Sequence, residues 1–200
     1  MPEGVVGHNP DLEPWPYDPE KAKSLVAAAK ADGVPTDTEI RLISRTGLFP
    51  KVEETVEVVQ KELADVGLNV SIEMLDTAAS IQYQSRPFPE DTGPYLMLVQ
   101  HGNQAGDAAF SVDQYMLSDG AQSTFGTGEF DAQIKAAGKE QDEGRQEAYA
   151  DIFADEPGTI GQFAYIAHMT GVIGLSDRVS YTPNSATGDE MRLAEMTHAG

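Results

Sequence analysis

The chain has 200 residues, with 33 acidic and 13 basic side chains and a formal charge of −20. Phosphate recognition needs clustered Lys and Arg, so this balance argues against nucleic acid or an anionic membrane surface as a partner. Cysteine is absent, which removes disulfides and Cys-based zinc or redox chemistry. No apolar run approaches the length of a membrane span. The expectation is one domain over residues 1–200, α/β in class.

Residues 1–17, with Pro2, Pro10, Pro14 and Pro16, read as an extended lead-in anchored by Trp15, the single tryptophan. Asp18-Pro19 reads as an N-cap followed by proline at the first helical position. Ala22, Leu25, Val26 and Ala29 then share a face, and Gly33 ends the helix. Residues 40–45 read as a strand. Pro50 opens a second helix in which Val52, Val56, Val59, Leu63 and Val66 recur every three or four positions, and Gly67 closes it. Leu68, Val70, Ile72 and Met74 alternate with polar residues, so a strand follows and completes a βαβ unit.

Asp76 caps a third helix to about Arg86, after which Pro87, Pro89, Asp91, Gly93 and Pro94 make an irregular link. Residues 95–99, apolar at every position, predict a strand in the middle of a covered sheet. Gln100, His101, Gly102 and Asn103 then lie past its carboxyl end, where ligands of open α/β sheets sit. A short helical turn near 110–117 and a surface loop at 118–128 follow. Two helices come next, one with Phe130, Ile134 and Ala137 on a face, the other opened by Asp142 and presenting Ala148, Tyr149, Ile152 and Phe153. Glu156-Pro157-Gly158 is expected to break the chain before two apolar segments, 160–169 and 171–175, that read as a strand pair. Residues 182–200, with Pro183, Asn184 and Gly188, read as a peripheral tail.

Catalytic signatures are absent. There is no Gly-x-Ser-x-Gly elbow and no phosphate loop, and Gly126-Thr127-Gly128 lacks a third glycine. Histidines at 8, 101, 168 and 198 are too scattered for a zinc motif, so neither a metal nor a cofactor is expected. Carboxylate pairs such as Asp107 and Asp113 are what chance supplies in so acidic a chain. Arg145 reads as a helix-surface ion-pair partner rather than an anion receptor, and His168, inside an apolar segment, as a structural histidine. Asn69-Val70-Ser71 matches a glycosylation acceptor but lies in a predicted strand. His101 is the first candidate for a ligand contact. Arg86, the only Lys or Arg between Lys61 and Lys135, is either a partner for a ligand anion or a solvent-facing residue at a helix end.

The order of motifs resembles a known family. Pro16-Tyr17-Asp18-Pro19-Glu20-Lys21-Ala22-Lys23, followed by Leu25-Val26 and Gly33, is similar to the Tyr-Asp-Pro-Glu-Lys-Ala-Lys helix of family 5 extracellular solute-binding proteins, the peptide, nickel and oligosaccharide receptors of bacterial ABC importers. Four later segments are similar in the same order: residues 56–70, residues 95–107, Phe130-Asp131 with Ile134 and Ala137, and Asp142 with Arg145 and Tyr149. The resemblance implies a lobe of the periplasmic-binding-protein kind, type II, with a mixed sheet and helices on both faces. It covers the later part of a C-terminal lobe, so the chain reads as a piece of a longer receptor whose N-terminal lobe and signal lie elsewhere.

By that resemblance the chain is not an enzyme. It binds a small solute, peptide or sugar-like, against the N-terminal lobe of the same receptor, and delivers it to an ABC transporter permease. The receptor would be extracellular or periplasmic and membrane-anchored through its N-terminal signal. Peptide-binding members carry Gly-Trp-Gly-Ala-Asp-Tyr-x-Asp-Pro after the central strand, the first Asp holding the ligand's amino terminus. Here His101 stands at the tryptophan position and Gln104 at the aspartate position. An amide cannot give an ammonium group the charge-assisted bond of a carboxylate, so a neutral or sugar-like ligand is expected. The implied ligand contacts are His101, Gly102, Asn103, Gln104 and Arg86. Two rivals remain: a small α/β hydrolase-like enzyme with His101 as base, and an interaction domain that binds no solute.

Overall fold

Asp18 opens the first helix of the computed structural model as its spacing predicts: its side chain accepts from the Lys21 N–H at 2.9 Å, and Pro19 begins α1 (Pro19–Ala31). The structure describes residues 1–90, 92–184 and 191–199. The chain divides into two compact units, residues 14–100 and residues 1–13 with 101–200.

In the unit of residues 14–100, β1 (Ile40–Arg45), β2 (Val70–Leu75) and β3 (Tyr95–Met97) form a parallel sheet in the order β2-β1-β3. Helix α2 (Val52–Asp65) connects the first two strands and α3 (Thr77–Gln84), capped by Asp76, precedes the third. Successive side chains point to opposite faces of a strand, and the two faces are covered differently. Leu42 and Val70 pack with Val56, Val59 and Leu63 of α2, whereas Arg41 lies 5.3 Å from the ring centroid of Tyr83 on α3. Tyr95, in register with Arg41, donates its hydroxyl to the Tyr83 carbonyl at 3.3 Å. Helices thus cover both faces, and the class is α/β.

One expectation is reversed. The strand at 95–99 does not occupy the middle of the sheet: β3 is shorter, stands at an edge among the described residues, and leaves Leu96 44% exposed. The middle strand is β1, where Leu42, Ile43 and Ser44 are buried in succession. Arg41 and Arg45 at its ends hide that burial from a count of apolar residues, while the apolar run 95–99 overstates it. Trp15 is 76% exposed, so it is not an anchor, and Leu25 is exposed on α1.

In the other unit, α4 (Ala109–Tyr115), α5 (Gly128–Ala137) and α6 (Asp142–Thr159) bury Val112, Phe130, Ile134, Tyr149, Ile152 and Phe153 in one core. The lead-in is part of it. Val5 is buried, and Val6 pairs with the chain at Asp107, donating to the Gly106 carbonyl at 3.1 Å and accepting from the Ala108 N–H at 3.0 Å. Gln146 of α6 accepts from the Gly7 N–H at 2.7 Å and donates to the His8 carbonyl at 2.6 Å. Helix α6 runs through Pro157 to Thr159 instead of breaking at Glu156. Glu156 is fully buried, and its carboxylate accepts from the Gln162 and Phe163 N–H groups beyond the helix, so the turn is closed by a side chain rather than by the proline. Burial raises the pKa of Glu156 against those two bonds.

Residues 161–175 form no strand, and Tyr165, Ile166, Met169 and Val172 are exposed; an apolar run becomes a strand only where a partner offers backbone bonds, and none of the described strands pairs with it. His168 is exposed, not a buried structural histidine. The short pair β4 (Val179–Ser180) and β5 (Thr197–His198) follows. Asp91 and Gly188 lie outside the described residues.

A Cβ at Gly7, where φ is +91°, would come within 2.8 Å of the Tyr149 Cβ and 2.9 Å of the Ala108 Cβ. Gly7→Ala is therefore expected to destabilise the protein by roughly 2–4 kcal/mol, overpacking adding to the left-handed backbone. Trp15→Ala is expected to change stability by no more than about 0.5 kcal/mol. Urea unfolding midpoints of the two variants check both.

Candidate functional site

Parallel strands place all their carboxyl ends on one edge of the sheet, and in residues 14–100 that edge is hollow. A cleft of about 140 Å³ is lined by Arg45 at the end of β1, Leu48 just after it, Ser80 and Gln84 of α3, and residues 97–100 at the end of β3. Ser80 and Gln84 are four apart on a helix and so share a face. Arg45 makes no side-chain hydrogen bond or ion pair among the described residues. The cleft therefore combines apolar walls with a guanidinium, an amide and a hydroxyl, the composition expected of a polar-solute site.

The sequence reading had Gln100 at this edge but did not single out Arg45, Ser80 or Gln84. Strand-end position was the available signal: Arg45 closes a predicted strand just as His101 follows one. Arg86 lies in the same unit, exposed beyond the end of α3, with its guanidinium 5.8 Å from the Phe88 ring centroid.

His101, Gly102, Asn103 and Gln104 come together as one loop of the other unit. The His101 ring is exposed, stacks on Phe110 at 5.7 Å between centroids, meets the Tyr115 ring edge-on at 4.7 Å, and has Nε2 2.7 Å from the Ser111 Oγ. Asn103 turns inward and organises the loop. Its Oδ1 accepts from the Ala105 N–H at 3.2 Å and the Asp107 N–H at 3.4 Å, and its Nδ2 donates to the Asp107 carbonyl at 2.9 Å. Gln104 projects at the exposed tip.

The loop ends on Asp107, whose carboxylate receives two bonds from Arg145, Nε to Oδ2 at 2.7 Å and Nη2 to Oδ1 at 2.9 Å, and one from the Ala109 N–H at 2.9 Å. Burial by itself would raise the Asp107 pKa, but the Arg145 and Ala109 bonds outweigh it and the net shift is downward. Arg145 is an ion-pair partner, as its sequence context predicts, although the partner is 38 residues away rather than on its own helix. Asp107, set aside as one carboxylate among many, carries the loop. Among the described residues no group of three or more His, Cys, Asp or Glu side chains could hold a metal.

Comparison with known proteins follows the same lines. Residues 1–136 match the family described as "Bacterial extracellular solute-binding proteins, family 5 Middle". Di/tripeptide-binding protein 2 of Pseudomonas aeruginosa is 34% identical over 77 residues, which is 38% of this chain and 14% of that protein. Among solved structures, DppA of Helicobacter pylori in complex with the peptide STSA aligns with a TM-score of 0.62 at 17% identity, over 78% of this chain and 30% of that one. CtaP of Listeria monocytogenes aligns with a TM-score of 0.61 at 22% identity, over 75% and 30%. At such identities the structures speak for the fold. The aligned part spans about a third or less of each relative's length.

Because the folded pKa of Asp107 is depressed, its contribution to stability is fully present above the ordinary aspartate value and is lost as pH falls through the lowered one. The difference in unfolding free energy between the wild type and Asp107→Asn is therefore expected to be constant above about pH 5 and to shrink below about pH 4. Urea titrations at stepped pH measure it.

Proposed function

On the premise that the chain belongs to the bacterial extracellular solute-binding proteins of family 5, we propose that residues 1–200 form part of the C-terminal lobe of a two-lobed receptor. That receptor encloses a polar solute outside the cytoplasmic membrane and hands it to an ABC importer. The observation that carries this reading is the cleft at the carboxyl ends of β1 and β3, whose polar side chains converge from three elements. The protein's work is then binding rather than catalysis: contacts that strengthen when the N-terminal lobe closes over the solute make the closed state the one the permease reads.

His101, Gly102, Asn103, Gln104 and Arg86 are the ligand contacts in this proposal, with Arg45 added to them. The relative's name speaks of di- and tripeptides, but Gln104 stands where the resemblance expects the carboxylate that holds a peptide's amino terminus. Arg45 supplies five donors and no acceptor to its cleft, which favours a carboxylate or hydroxyl-rich group over an ammonium. A neutral or acidic polar solute, sugar-like in its hydrogen bonding, fits these residues better than a free peptide.

With one wall of the cleft, affinities near 1 mM are expected, about −4 kcal/mol. Backbone amide NMR titrations with cellobiose and trialanine test the proposal. Cellobiose is expected to shift amides of the cleft near Arg45, Ser80 and Gln84 or those of the 101–104 loop, and trialanine is expected to shift neither. Shifts confined to other surfaces, or shifts produced by trialanine alone, overturn the reading. Gln104→Asp is expected to raise trialanine affinity about fivefold or more, since a charge-assisted bond exceeds a neutral one by about 1 kcal/mol or more.

A further inference from the structure

Arg145 sits at a junction that neither ion pairing nor helix stability explains by itself. Its Nε and Nη2 grip both oxygens of Asp107, its Nη1 lies 3.4, 3.4 and 3.5 Å from the carbonyl oxygens of Ala137, Gly138 and Glu140, and its Cζ is 4.8 Å from the Tyr149 ring centroid. The carbonyls belong to the last turn of α5 and the link beyond it, where a helix leaves its C=O groups without partners and favours a cation. One guanidinium therefore joins the end of α5, the start of α6 and the last residue of the 101–107 loop.

From Asp107 the connection continues inward. The Asn103 side chain closes on the Asp107 backbone from both sides, its Nδ2 lies 3.4 Å from the Ser111 Oγ, and that hydroxyl is 2.7 Å from the His101 Nε2. Every step from Arg145 to His101 is a hydrogen bond between described atoms. We infer that Arg145 is the positioning residue of this loop: through Asp107 and Asn103 it holds residues 101–107, with His101, in the one conformation presented to a solute. The inference rests on the proposed role of the loop in binding, but its test does not require a solute.

Planarity is what the position demands. A lysine would keep the charge and lose both the paired grip on Asp107 and the fan of donors toward α5. The loop has no helix or strand of its own between residues 101 and 106; besides the Arg145 junction it is held by the Val6–Gly106 backbone bond and by the His101 ring against Phe110 and Tyr115.

Native-state hydrogen exchange on the 200-residue chain tests this, with Arg145→Lys, Arg145→Gln and Asp107→Asn compared with the wild type. The amides of Ala105 and Asp107, both bound to Asn103 Oδ1, are the loop readout, and those of Ile152 and Phe153 in the core of α6 are the reference. Exchange at Ala105 and Asp107 is expected to accelerate at least tenfold in Arg145→Gln and Asp107→Asn, and by a smaller factor in Arg145→Lys, with the Ile152 and Phe153 rates changing less than threefold. Equal acceleration at loop and core would mean a merely structural residue and would overturn the inference, as would unchanged loop rates. Should Arg145→Gln fail to fold, Asp107→Asn retains an acceptor for the Ala109 N–H and gives the same readout. If the loop loosens as expected while neither cellobiose nor trialanine shifts residues 101–104, the binding role of the loop fails and the positioning role of Arg145 stands.

Discussion

A guanidinium and a carboxylate that are both about three-quarters withdrawn from water must satisfy one another, and the unit formed by residues 1–13 and 101–200 is arranged around that requirement. Asp107 is where its parts meet. The lead-in pairs with the chain beside it through Val6, the candidate loop ends on it, and α4 begins two residues later with its N–H bound to the same carboxylate. Arg145 brings α6 and the end of α5 to that point. Removing one partner would leave the other charge partly desolvated and without its paired bonds.

In residues 14–100 the governing constraint is backbone pairing instead of charge. Parallel register aligns Arg41 with both Ser71 and Tyr95, so the carboxyl ends of the strands point to one edge, where residues 97–100 run on beside Arg45. Arg45, Ser80 and Gln84 become neighbours there without any local motif. The cleft is small and more polar than apolar. Similarity to solved solute-binding proteins at about 20% identity speaks for a shared backbone fold.

Helix starts and faces were legible in the chain because they are decided within a few residues. Asp18 and Asp76 cap as their spacing predicts, and Phe130, Ile134 and Ala137 are the buried face of α5. The misreadings share a cause. Residues 95–99 and 161–175 are apolar, but burial depends on what lies against a segment, and β1, with an arginine at each end, took the middle of the sheet. Trp15 is large and apolar yet exposed, while in the same proline-containing lead-in Val5 is buried and Gly7 lies against Tyr149 of α6 and Ala108.

The βαβ unit, the caps at Asp18 and Asp76, the acidic balance and the family were legible in the sequence alone, since each depends on composition or on neighbours in the chain. The candidate site divides differently. His101 through Gln104 could be named from a strand end and a resemblance, because they are contiguous. Arg45 with Ser80 and Gln84, and Arg145 with Asp107, could not: they are joined across 35 or more residues by strand register and helix packing. Only the folded chain lines one cleft with the first set and brings the second within hydrogen-bond reach, and no periodicity in the sequence records the distance between them.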